Sequence, residues 1–147
     1  MLQPVSSPVA RAVEPASPGI RRALSHIERH FTEALYLDDL ASLAGLSVCR
    51  FVTVFRRQVG LTPHRFVCRE RVRYARALLA DGVPAAQAAL DAGFFDQSHL
   101  SRHFKSVYGV TPGRYLREQV QSPPPRAGRL GYPARAAFSP VSSSRPA

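Results

Sequence analysis

Two cysteines, 19 positions apart and outside any CxxC pair, are all the thiol chemistry that this chain of 147 residues holds. So few exclude a disulfide-built scaffold, and Cys49 and Cys68 read as free thiols of a reducing compartment. The five histidines do not supply the further ligands that a zinc site needs, so no metal or cofactor is expected. No apolar run approaches the roughly 18 residues of a membrane span. The N-terminus also lacks the apolar core of roughly 7–15 residues that marks a secretory signal. A cytoplasmic, non-membrane protein is the expectation.

Acidic side chains are scarce as well. Ten stand against 20 lysines and arginines, a formal net charge of +10. Between residues 20 and 120 the count is 15 basic to 9 acidic, so the excess is not confined to the ends. Such a balance favours a polyanionic partner, nucleic acid before membrane, over an ordinary solvated surface. The ends differ from the middle. Four of the 13 prolines fall in residues 1–19 and six in 121–147. Both segments are rich in Pro, Ser, Ala and Arg without apolar periodicity, and they read as disordered tails. The second adds Arg126, Arg129, Arg135 and Arg145. One ordered domain, residues 20–120, remains.

What the middle does contain is a helix-turn-helix pattern between Leu37 and Arg57. Leu37, Leu40, Ala41 and Ala44 recur three or four apart, as on one helix face. Gly45 then stands where a left-handed turn residue is needed, and Ser47 where a side chain can cap the next helix. Phe51 and Phe55 give that second helix a buried edge one turn apart. A capped second helix on a basic protein is a shape that enters a major groove.

The pattern occurs twice. Ala41, Ala44, Gly45 and Leu46 recur 48 residues later as Ala89, Ala92, Gly93 and Phe94. Ser47, Phe51, Phe55, Gly60, Thr62, Pro63 and Phe66 recur 49 residues later as Asp96, Leu100, Phe104, Gly109, Thr111, Pro112 and Tyr115. The step from 48 to 49 falls at Phe95, an inserted residue in the second turn. A repeat that keeps its turn glycine, its cap and its core edge is one structural unit made twice.

Ahead of the first unit, Ile20, Leu24, Ile27 and Phe31 form an apolar stripe at helical spacing. Arg21, Arg22 and Arg29 lie on its polar face. Asp38 and Asp39 suit the first turn of the next helix, where the dipole favours them, and have a structural role. Between the units, Thr62 caps a helix that Pro63 opens and Asp81-Gly82 stops. Phe66, Val67, Glu70, Tyr74, Ala77 and Leu78 mark its faces. Its 18 residues span roughly 27 Å at 1.5 Å per residue. Pro84 to Ala92, Asp96 to Tyr108 and Pro112 to Val120 complete an all-α fold of about seven helices with no strand. The organisation is unit one at 20–62, a connector helix at 63–80 and unit two at 81–120.

Gly93-Phe94-Phe95-Asp96-Gln97-Ser98-His99-Leu100-Ser101-Arg102-His103-Phe104-Lys105, followed by Gly109-Val110-Thr111-Pro112-Gly113-Arg114-Tyr115, resembles the signature of the AraC/XylS family of bacterial transcription regulators. The likeness covers about residues 20–120. It implies two helix-turn-helix units joined by one long helix, binding to double-stranded promoter DNA and activation through RNA polymerase. Many members of the family carry an N-terminal sensing or dimerising domain. With 19 residues before its first helix, the chain is expected to be a small stand-alone member or a truncated one, any sensing domain being a separate partner.

A recognition helix reads bases with side chains of its first turns that face away from the core. In the first unit that leaves Cys49, Arg50, Val52 and Thr53 for bases and Arg56 and Arg57 for phosphates. In the second it leaves Gln97, Ser98, His99, Ser101 and Arg102 for bases and Lys105 for phosphates. Gln97 suits adenine and Arg102 guanine, each in a bidentate pair. His99 serves equally well as an internal hydrogen-bonding group. Two positions depart from the family pattern: Thr53, where members commonly carry Arg, and Ala88, where they carry a larger aliphatic residue. The first suggests fewer bases read by unit one; the second suggests a loss on the order of 1–3 kcal/mol of packing if the space is not filled. A helical module docking an acidic protein is the competing reading, and a decaying regulator is another. An enzyme is disfavoured, since Cys49 has no His–acid constellation to activate it.

Overall fold

Two buried clusters form around one helix. The computed structural model describes residues 15–121, with side chains for 15–120, and every regular element among them is helical. In order these are α1 (Pro18–His30), α2 (Leu37–Ala44), α3 (Val48–Val59), α4 (Pro63–Ala80), α5 (Ala85–Asp91), α6 (Gln97–Tyr108) and α7 (Pro112–Gln121). The expected all-α architecture of seven helices is what the described residues adopt. The tail residues 1–14 and 122–147, including the four arginines from Arg126 onward, lie outside the described residues.

The domain starts earlier than residue 20. Helix α1 opens at Pro18, which sits at the helix start where its missing N–H costs nothing. Just before it, the Ser17 N–H donates to Gln58 Oε1 at 2.9 Å and Ala16 packs on the first cluster. Residues 15–19 therefore belong to the fold rather than to a tail. At the other end α7 reaches Gln121, one residue past the expected boundary.

Ile20, Ala23 and Ile27 of α1, Leu40, Ala41 and Ala44 of α2, and Phe51 and Phe55 of α3 build the first cluster. Ala88, Ala89 and Ala92, with Phe94, Leu100 and Phe104, build the second. Helix α4 contributes to both: Phe66 and Val67 to the first, Val72, Ala75 and Leu79 to the second. At 100° per residue those two sets lie on roughly opposite faces of the helix. This corrects the expected faces of the connector. Ala77 is exposed, whereas Val72, Ala75 and Leu79 are the residues it buries toward the second unit.

The turns repeat bond for bond. The Gly45 N–H reaches Ser42 O and the Leu46 N–H reaches Ala41 O, each at 3.0 Å. In the second unit the Gly93 N–H reaches Leu90 O at 3.0 Å and the Phe94 N–H reaches Ala89 O at 2.9 Å. This pairing of orphan carbonyls requires a left-handed residue, and Gly45 and Gly93 supply it at φ 70° and 89°. The inserted Phe95 follows and is 85% exposed, while Phe94 is 3% exposed. Ala88 is fully enclosed, with the larger Phe94 standing six residues on where unit one has Leu46.

The register predicts opposite outcomes for two adjacent phenylalanines. Phe94→Ala should cost about 3–5 kcal/mol, as a buried aromatic truncation does. Phe95→Ala should stay within about 0.5 kcal/mol of wild type. Urea denaturation monitored by circular dichroism measures both, and equal costs would mean that the inserted residue is buried.

Candidate nucleic-acid interface

Each candidate recognition helix is held by a side-chain cap. Ser47 Oγ accepts the Arg50 N–H at 3.4 Å, and Asp96 Oδ1 accepts the His99 N–H at 2.8 Å. Behind the caps, Phe51 and Phe55 anchor α3, and Leu100 and Phe104 anchor α6. What remains outward is set by helical geometry alone. On α3, Cys49, Arg50, Thr53, Arg56 and Arg57 are exposed; on α6, Gln97, Ser98, Arg102 and Lys105 are. The two faces carry guanidinium, ammonium, amide and hydroxyl groups and no carboxylate except the capping Asp96.

Three of the expected base readers are placed differently. Val52 is half-buried and packs against the first cluster. Ser101 is also half-buried. His99 is engaged inside the fold. Its Nδ1 accepts the Phe95 N–H at 3.4 Å, and its Nε2 lies 3.1 Å from His103 Nε2. An accepting Nδ1 leaves the proton of the neutral ring on Nε2, which then donates to His103. Of the two roles weighed for His99, this is the internal one. Thr53 is exposed, but its hydroxyl donates to Cys49 O at 3.0 Å, one turn back.

Behind α6 lies a small group of imidazoles. The His103 ring stacks on Phe94 with centroids 5.6 Å apart and meets His64 of α4 at 6.3 Å. Cys68 Sγ lies 3.8 Å from His64 Nδ1. Burial pushes the Cys68 thiol up from its ordinary range, with nearby Arg71 opposing, so it is no ready nucleophile. Among the described residues no set of three or more His, Cys, Asp or Glu side chains is arranged to hold a metal ion. Nor is any helix long and apolar enough to cross a membrane.

Sequence reasoning named Arg56 but passed over Arg65 beside it. Arg56 and Arg65 line the same groove at the junction of α3 and α4, beside Gly60 and Thr62. The 49-residue register contained the signal, since it maps Arg56 to Lys105 and Arg65 to Arg114. Arg114 differs in being paired with Glu118 at 2.8 Å. Phe95 was likewise noted as an insertion without a role.

Comparison with known proteins decides the family. A helix-turn-helix domain family matches residues 40–118, more than half of the chain. Solved AraC-type DNA-binding domains share the fold. One from Chromobacterium violaceum has a TM-score of 0.63 at 29% identity, covering 72% of this chain and 95% of that one. The chain belongs to the AraC/XylS-type helix-turn-helix regulators. This is a class of DNA-binding transcription regulators and not of enzymes. The DNA-binding domain of AdpA, solved with a target DNA, has the same fold at a TM-score of 0.66 and 24% identity, covering 74% of this chain and all of that one. Among curated proteins, the chain is 37% identical over 92 residues to the probable transcriptional regulator LumQ of Photobacterium leiognathi, covering 62% of this chain and 37% of that protein. It is 29% identical over 126 residues to XylDLEGF operon transcriptional activator 3 of Pseudomonas putida, covering 81% and 38% respectively. The AraC-type domain thus spans little more than a third of the length of these relatives.

His103 should make the domain less stable in mild acid. His103 is held below the ordinary histidine range, first by burial and then by His99, His64, Arg102 and Arg71. The unfolded chain takes up this proton near pH 6.5 and the folded chain only at lower pH. Stability from this group is therefore complete above about pH 6.5 and is lost as pH falls through that value toward the folded pKa. Thermal midpoints at pH 7.5 and 5.5 should drop for wild type and drop less for His103→Gln. Parallel curves for the two proteins would remove His103 as the cause.

Proposed function

We propose that the domain lays α3 and α6 into two successive major grooves on one face of promoter DNA and regulates transcription there together with RNA polymerase. The observation that carries this reading is the duplication itself: two capped recognition helices with basic outer faces, joined by one continuous helix of 18 residues. Successive major grooves recur at about 34 Å along one face of DNA. A connector of roughly 27 Å, with a unit packed at each end, suits that separation. A protein built this way reads an asymmetric site as a monomer, because the two helices differ in sequence.

Gln97 and Arg102 carry the base readout in unit two, with Ser98 beside them. Arg50 carries it in unit one, where Cys49 offers an apolar contact to a thymine methyl. The self-bonded hydroxyl of Thr53 adds little. Arg57 and Lys105 meet phosphates, as does the pair Arg56 and Arg65, set beside the capped start of α4. Phe95, exposed at the entry to α6, supplies a further apolar contact in the groove. Acting on DNA, the protein works in the cytoplasm, and a sensing domain or partner would control it.

Randomised-site selection followed by footprinting tests the whole reading. Wild type should protect about two turns of DNA on one face as a monomer. Arg102→Ala should lose about 1–3 kcal/mol on the selected site and relax the choice at one base pair. Thr53→Ala should cost far less. Protection confined to half a turn, or a Thr53→Ala variant that blurs the motif more than Arg102→Ala does, would contradict it.

A further inference from the structure

The two units touch beside the middle of α4, and a guanidinium lies in the contact. Arg71 stands midway along α4. Its Nε donates to Phe31 O at 2.6 Å and its Nη2 to Glu33 O at 2.8 Å. Both carbonyls belong to the C-terminal end of α1 and the turn that follows, where a helix leaves acceptors without partners. A cation is also favoured there by the helix dipole. Gly93, the turn residue of the second unit, closes the same spot. A Cβ at Gly93 would stand 3.1 Å from Arg71 Nε and 2.6 Å from Thr32 O. The α1–α2 loop and the second helix-turn-helix turn thus meet backbone to backbone, with the Arg71 side chain of the connector against both. Phe31 adds an edge-on contact with Tyr74 at 5.7 Å.

Arg71 differs from its neighbours Arg69 and Arg73 on α4. Among the described residues no carboxylate pairs with it, whereas Arg69 and Arg73 flank Glu70. It is about half-buried, and burial pulls its guanidinium below the ordinary arginine range. Its Nε and Nη2 are committed to two carbonyls 40 and 38 positions back in the chain, which holds the guanidinium against the α1–α2 loop.

We propose that Arg71 is a positioning residue that fixes the angle between the two units, and so the half-site spacing that the domain accepts. The proposal rests on the reading that both recognition helices engage one DNA. Each unit is held to α4 by its own cluster, on opposite faces and at opposite ends, and neither cluster alone fixes the twist between them. A rotation of about 10° between the units, over the 34 Å that separates successive grooves, displaces one recognition helix by roughly 6 Å. That exceeds the 3.4 Å rise of one base pair, so a loosened clamp blurs the spacing requirement.

Two variants test this. Arg71→Met keeps the stem and removes both donors; Arg71→Lys keeps the charge but cannot bridge two carbonyls as a planar fork does. Affinity is measured on the selected duplex, on duplexes with one base pair added or removed between the half-sites, and on each half-site alone. Wild type should lose about 100-fold when the spacing changes, as a linked pair does when geometry forbids joint engagement. Arg71→Met should lose about 10-fold or less while half-site affinities stay unchanged, and Arg71→Lys should fall between. The second readout needs no DNA. Spin labels at Cys49 and at Ser98→Cys, on the two recognition helices, should give one narrow distance in wild type and a broad distribution in Arg71→Met. A narrow distribution in that variant overturns the proposal, as does an equal loss on every duplex, half-sites included. Wild-type binding that ignores spacing, with broadening still present in the variant, overturns the two-groove reading and leaves the clamp standing.

Discussion

Opposite faces of one helix, buried at its opposite ends, are the constraint on which the rest of the structure depends. Units this small bury too little apolar surface to fold well without a further wall. Helix α4 supplies that wall twice, through Phe66 and Val67 at one end and Val72, Ala75 and Leu79 at the other. Each buried aliphatic or aromatic side chain contributes about 1.5–3 kcal/mol relative to exposure. Removing the connector therefore takes a share of core from both units at once. It is a structural part of each and not a spacer between independent domains.

That shared role explains what could be read in the sequence and what could not. The turns were legible because they rest on local chemistry. A left-handed glycine, a capping side chain and a hydrophobic edge have fixed offsets, and their recurrence at 48 and then 49 residues located both units and the insertion at Phe95. The faces of α4 were not legible in the same way. A helix that buries one face early and the opposite face late shows no single stripe, so the faces expected from Phe66, Val67, Glu70, Tyr74, Ala77 and Leu78 leave out Val72, Ala75 and Leu79. The start of the fold at Ser17 was hidden by proline content, which marks a tail and a helix N-terminus alike. Arg71 was hidden by distance along the chain. Its partners are backbone carbonyls about 40 residues away, and a carbonyl leaves no trace in a pattern of side chains.

The interface was legible in part, for a related reason. Subtracting the buried edge of a helix gives its outward residues, and most of those named are exposed. It fails at the margins of the stripe, where Val52 and Ser101 lie half-buried. It fails also where a polar side chain finds a partner within the fold, as His99 and Thr53 do. The two recognition faces are unequal as a consequence. On α3 the position that registers with Arg102 is a threonine bonded to its own helix, and its neighbour Val52 turns inward. On α6 the guanidinium of Arg102 is exposed and has no carboxylate partner among the described residues. At this register the two outward faces therefore differ, an exposed guanidinium on α6 standing against a self-bonded hydroxyl on α3.

The two helices also differ in what holds them against α4. Helix α3 meets it through Phe55 and Phe66, ring edge to ring face at 5.8 Å, a contact with no ionisable atom. Helix α6 meets it through Phe94, His99, His103 and His64, a run of rings in which one hydrogen bond joins two imidazole nitrogens at 3.1 Å. That bond needs a free lone pair on His103, and a second proton would set N–H against N–H while adding charge beside Arg71 and Arg102. To its apolar anchors Leu100 and Phe104 helix α6 thus adds contacts that depend on protonation, which the Phe55–Phe66 contact of α3 does not. Since His99 also accepts the Phe95 N–H at the entry of α6, the imidazole group is tied directly to the start of that helix.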